Sequence, residues 1–277
     1  MIPFVLSEWG ILPNAKYFTI AFVLNPFVGP TLAAYIMNRI TEGPEGVLRL
    51  RRRLTQWRTN WKWYVFSLLG IPAAVLLGIF VLPGARASFH GLPASFLVSY
   101  PINFVVIFFL GGPLGEEIGW RGFALPRMQS HYGPLWGTLL LGLLWTGWHL
   151  PHFLTSAQRG GPGTSFATFL TNFSIFFLMV MAITVIFTWV FNHTQGSLFM
   201  AILLHASINA LGSLMLLFPV PIVTNTDLAL LIGFGVLAGL IVILTRGQLG
   251  YQPSQEQPLS SGKIEAQPIF SLGPSHG

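Results

Sequence analysis

The sequence predicts an all-α fold, a polytopic transmembrane helical bundle of about seven to eight spans around an intramembrane polar cavity, and three observations predict it. The 277-residue chain is 53% hydrophobic with a mean hydropathy of +0.66. Only 8% of its residues are charged, where soluble domains carry roughly 25%. Apolar windows of about 20 residues, enough to cross a ~30 Å hydrocarbon layer, recur along nearly the whole chain. Long uninterrupted runs of this kind fit helices, because an outer-membrane barrel shows short alternating segments instead.

Residues 1–16 form an N-terminal segment without a basic start or a small-residue cleavage site, so no cleavable signal is expected and the first span is retained. Spans are expected at 17–38, 63–82, 96–112 (able to run on to 129), 133–151, 166–191, 197–218 and 228–245. Between the first two lies a loop flanked or filled by Arg39, Arg49, Arg51, Arg52, Arg53, Arg58 and Lys62, the pattern of a cytoplasmic loop. Its stretch LRLRRRLTQWRTNWKWY interleaves Leu48, Leu50, Leu54, Trp57 and Trp61 with the arginines, which suits the anionic inner leaflet. With seven spans Arg121, Arg127, Arg246 and Lys263 fall on the same side, and of the 14 basic residues Lys16, Arg86 and Arg159 remain outside. The net charge of +6 is therefore a topology signal, and no nucleic-acid partner is expected. The membrane domain covers 17–247, with its motif-bearing core at about 96–210. From 248 to 277 the tail is rich in Pro, Ser, Gln and Gly without helical period; it is expected to be disordered and cytoplasmic. The absence of cysteine excludes disulfides, thiolate metal sites and cysteine nucleophiles.

Ionisable groups inside a span cost at least ~2.5 kcal/mol each at the bilayer centre, so they normally face a packed interior or a wet cavity. The candidates are Glu116, Glu117 and Arg121 around the end of the third span, His149 late in the fourth, and His205 with Asn209 in the sixth. On a helix Glu117 and Arg121 are i and i+4, which pairs them, while Glu116 is rotated by ~100° and left free for chemistry. Gly111, Gly115 and Gly119 recur every four residues, a spacing that lets another helix approach closely. If the helix of Glu116 runs to about Gln129 and turns at SHYGP, Glu116 and His149 climb ~21 and ~28 Å from the turn on antiparallel neighbours. His205 and Asn209 are again i and i+4, an imidazole beside a carboxamide. His152, just beyond Pro151, reads as an interface residue.

Three motifs stand in order on successive spans: EEIGWR as EExxxR, WTGWH as an aromatic-xxx-His, and HASIN as HxxxN. In this the chain resembles the CPBP family of intramembrane proteases, which includes type II CAAX prenyl endopeptidases and bacteriocin-processing and self-immunity proteins. The resemblance also takes in GEEIGWRGFALPRMQ, WHLPHF and the arginine-rich RRRLTQWRTNWKWY, roughly 45–210. It implies Glu116 as the catalytic glutamate, His149 as its paired histidine, His205 and Asn209 as the residues of the last motif, and Glu117 and Arg121 as their supports. The departure is Trp145, an aromatic where phenylalanine is usual.

The chain has no HExxH, its one aspartate is Asp227, and no serine sits in a GxSG context, so zincin, aspartyl and rhomboid-like chemistries are disfavoured. Within the membrane proteases that the resemblance implies, what remains is an intramembrane endopeptidase in which Glu116 activates water. Glu116, His149 and His205 make a sufficient ligand set for a divalent metal such as zinc, and metal assistance is the expectation; water orientation and oxyanion stabilisation without metal are the other course. The partners implied are the lipid bilayer and a membrane-associated peptide or protein, and the expected location is a bacterial cell membrane. The competing reading is a non-enzymatic transporter or an immunity or assembly factor using the same polar groups to bind an ion or a peptide.

Overall fold

The computed structural model describes Trp9 and residues 24–89, 91, 93–155, 162–210 and 226–253. The described residues form helices and no strand. A π-helical turn, Phe27–Thr31, leads into α1 (Leu32–Leu54). There follow α2 (Trp61–Val81), α3 (Ala94–Leu110), α4 (Pro113–Tyr132), α5 (Pro134–His149) with a 3₁₀ turn at Leu150–Leu154, α6 (Phe166–His193), α7 (Leu198–Ala210) and α8 (Thr226–Thr245).

Each expected span coincides with helix where it is described. Among the described residues α2, α6 and α8 are long and apolar enough to cross a bilayer alone, and α3 with α4 makes a fourth crossing if the bent pair is one span. The protein is an integral membrane protein. The expected span 133–151 meets a helix of 16 residues in α5, and 197–218 is described as helix over Leu198–Ala210. Residues 17–23 of the first span, 211–218 of the sixth and the tail from 254 lie outside the described residues.

Two features differ from the sequence reading. The arginine-rich stretch expected as a loop is helical as far as Leu54, since α1 carries Arg39, Arg49, Arg51, Arg52 and Arg53, and only 55–60 with Arg58 connects it to the next helix. The helix only kinks at Gly43, whose φ is +67°, because the following Pro44 lacks the N–H that a straight helix needs. Beyond the kink leucine and arginine are good helix formers, and Gly46 and Leu50 turn inward while Arg51 and Arg52 stay exposed. Secondly, the third span ends at its expected bound of 112, and the continuation to 129 is not straight. At Gly111 and Gly112 the axis bends by 42°, with Gly112 at φ +100° and Pro113 opening α4.

The bundle closes on α6, whose segment from Met179 to Phe191 is largely buried and packs against α5, α7 and α8. Glycines let other pairs meet backbone to backbone. A Cβ added at Gly78 of α2 would stand 2.1 Å from the Ala229 carbonyl oxygen of α8. Gly115 and Gly119 of α4 face Pro26 and Pro30, where added Cβ atoms would stand 2.6 and 2.5 Å from the proline Cβ atoms. The expected close approach therefore holds for these two; Gly111 lies at the break and faces Ile107 of its own chain segment.

Candidate active site

The bend at Gly112 starts α4 inside the bundle, so Glu116 sits in its first turn, where the helix N-terminus favours a carboxylate. Glu116, Glu117, Arg121 and His205 are 8%, 0%, 0% and 5% exposed. Arg121 belongs to a π-helical turn, Trp120–Ala124, and its Nη1 donates to Glu117 Oε1 at 2.9 Å, the pairing that the spacing predicts. The guanidinium lies between two rings, 4.2 Å from the centroid of Trp145 and 4.0 Å from that of Phe187. This stacking accommodates the Nε and Nη2 groups, which have no hydrogen-bond partner.

Glu117 has a second guest: His205 Nδ1 donates to the same Oε1 at 2.7 Å. The sequence reading grouped His205 with Glu116 and His149; the structure adds a contact 88 residues away along the chain, which spacing alone does not reveal. Because a carboxylate can only accept, Nδ1 carries the proton and the lone pair of the neutral ring is on Nε2. His149 is fixed in the same way, its Nδ1 donating to the Trp145 carbonyl oxygen at 2.8 Å. Glu116 Oε2 accepts from the indole Nε1–H of Trp145 at 2.8 Å.

A cavity of about 150 Å³ is lined by Glu116 from α4, His149 from α5 and His205 and Asn209 from α7, with His152, Phe176 and Gly112. The four residues expected to carry chemistry thus share one small space, large enough for several waters at ~30 Å³ each. Asn209 is exposed at the protein surface, and its Nδ2 reaches the Gly111 carbonyl oxygen at 3.4 Å. One detail departs from expectation. His152, read as an interface residue, lines the cavity with its ring stacked on that of His149, centroids 5.7 Å apart. The i, i+3 spacing of the two histidines in WHLPH was the available signal. For a divalent ion the donors are of suitable type, yet among the described residues no three His, Asp or Glu side chains gather as a ligand group.

Residues 98–211 match the family of type II CAAX prenyl endopeptidases, Rce1-like. That segment contains all four cavity residues and both of their supports. The motif-bearing core is thus similar to this family. Similar as well is CAAX prenyl protease 2 of Methanococcus maripaludis, 31% identical over 152 residues, which cover 52% of this chain and 53% of the relative. The chain thus matches about half the length of that protein.

Proposed function

We propose that the protein is an intramembrane endopeptidase that hydrolyses a peptide bond of a membrane-associated peptide or protein, in or near the bilayer. The observation that carries the reading is the convergence of Glu116, His149, His205 and Asn209 on one cavity. In this reading Glu116 takes a proton from water held beside His149, and the water oxygen attacks the scissile carbonyl carbon. The Asn209 carboxamide donates to the oxyanion, and Glu116 returns the proton to the leaving amine. His205 and His149, each held through Nδ1, present Nε2 to water and substrate. Glu117 works through His205, as the carboxylate that sets its tautomer.

Three features support this over transport. The site cavity shares no lining residue with the second polar cavity, of about 540 Å³, along the C-terminal half of α4. The buried Glu117–Arg121 pair lies between the two along α4. The match to a protease family covers the core. A bacterial cell membrane is the proposed setting.

The experiment is purified protein in proteoliposomes, offered membrane-anchored peptides with and without a prenylated C-terminal cysteine, beside the Glu116→Gln variant. Cleavage by the wild type alone supports the reading, and the same modest release by both proteins overturns it. A prenyl requirement identifies the substrate class.

A second reading is assistance by a divalent ion on Glu116, His149 and His205: the Nδ1 anchoring of both imidazoles leaves Nε2 on each for a ligand bond, although among the described residues the three side chains do not gather as a ligand group. Such an ion would make bound water more acidic and polarise the carbonyl. Elemental analysis beside activity decides: loss on metal removal with recovery on adding zinc, cobalt or manganese carries it, and full activity in a metal-free preparation defeats it.

A further inference from the structure

We infer that Trp145 is a positioning residue of the hydrolytic site, acting through its indole N–H on the Glu116 carboxylate; this rests on the endopeptidase reading. The indole is in contact with most of the site. Its Nε1 donates to Glu116 Oε2 at 2.8 Å, and the Trp145 side chain is 4% exposed, so the donor is shielded from bulk water. Its ring carries the Arg121 guanidinium on one side and meets the His205 ring edge-on at 5.5 Å and the His149 ring at 5.8 Å. Its own carbonyl oxygen holds His149 Nδ1. The carbonyl contact is available to any residue at 145, and the stacking to any aromatic one. Only the hydrogen bond to Glu116 requires an indole.

The consequence is geometric. A carboxylate with both oxygens free rotates about its last torsion, whose minima are broad. The indole donor occupies Oε2 and so assigns Oε1 to the reacting water. Oε1 lies on the Gly112 side, where an added Cβ would stand 3.2 Å from it, so the left-handed glycine at the bend leaves that oxygen room. A proton acceptor with a fixed direction is part of what an oriented active site contributes to rate.

The test separates the donor from the ring. Trp145→Phe removes the N–H and part of the stacking area. Replacement by 3-benzothienylalanine keeps the bicyclic shape on Arg121 and removes the donor alone. With the proteoliposome assay, the benzothienyl protein is expected to lose roughly 10–100-fold in kcat, with KM and melting temperature near wild type. Undiminished kcat while Glu116→Gln is inactive overturns this inference and leaves the endopeptidase reading standing. A wild type that cleaves no peptide overturns the reading, and the inference with it. A second readout is independent of turnover. The Trp145 indole N–H resonance, assigned by its absence in Trp145→Phe, is expected to shift in Glu116→Ala; an unmoved resonance overturns the hydrogen bond itself.

Discussion

Glu116 and Glu117 are adjacent in sequence and face different tasks, because successive residues on a helix point ~100° apart. Glu117 accepts from both Arg121 and His205 at a fully buried position. Glu117→Gln is therefore expected to destabilise the fold by ~3–5 kcal/mol, since it leaves a buried guanidinium uncompensated. Glu116→Gln, which keeps shape and an acceptor oxygen for Trp145, is expected to retain the melting temperature and abolish turnover. Thermal unfolding beside peptide cleavage checks the pair, and a reversal of the two phenotypes exchanges their roles. Asn209→Ala is expected to lower kcat by roughly 10²–10³ with little change in stability, as loss of one oxyanion donor does; an equal loss in stability would make it a packing residue instead. The Glu117–Arg121 pair was legible because helical spacing alone brings i and i+4 together. The Glu117–His205 and Trp145–Glu116 bonds were not, because each joins segments that only the tertiary packing makes neighbours.

At the scale of elements, the short-range signals were present for the break between α3 and α4. Gly-Gly-Pro at 111–113 combines a left-handed position with a residue that favours the first turn of a helix. The expected bounds 96–112 end at this break, while the option of running on to 129 left out the bend that brings Glu116 into the bundle. The helical arginine stretch of α1 was illegible for the opposite reason: charge density suggested a loop, while leucine and arginine propensity and the buried Leu50 favour a helix. The four-residue glycine spacing was legible in part, and it supports a prediction at this scale. Gly119→Leu places bulk where even a Cβ would stand 2.5 Å from that of Pro30. Such overpacking typically costs ~1–3 kcal/mol, and it also displaces the start of α4 from the turn Phe27–Thr31. The expected outcome is lower thermal stability together with lower kcat, whereas Gly147→Leu, where an added Cβ meets no atom within 4 Å, serves as the tolerated control. Equal stability of the two variants would mean that the close approach is not part of the native packing.

At the scale of the whole molecule, Arg49, Arg53 and Arg127 gather at one end among the described residues, and this gives the topology argument a structural basis independent of the span count. Arg49 and Arg53 of α1, Arg127 of α4, Asn192 near the end of α6 and Tyr251 and Gln252 beyond α8 line one polar cavity. The connections between helices are bonded together there. Gln56 Nε2 donates to the Thr194 carbonyl oxygen at 3.1 Å, Ser197 Oγ donates to that of Gln56 at 2.6 Å, and Asn192 Nδ2 donates to that of Leu249 at 3.0 Å. A segment tied to another by such contacts cannot lie across the bilayer from it. Counting spans to place the chain's two halves becomes unnecessary, which matters because α5 is short for a crossing and part of the chain lies outside the described residues. Residues near Thr55 and near Gly247 are therefore expected on the same side, and the positive-inside rule assigns that side to the cytoplasm. Reporter fusions at Thr55 and Gly247 check both steps. Reporters in opposite compartments would overturn the packing of these connections, and reporters together on the outer face would leave the packing intact and reverse the orientation.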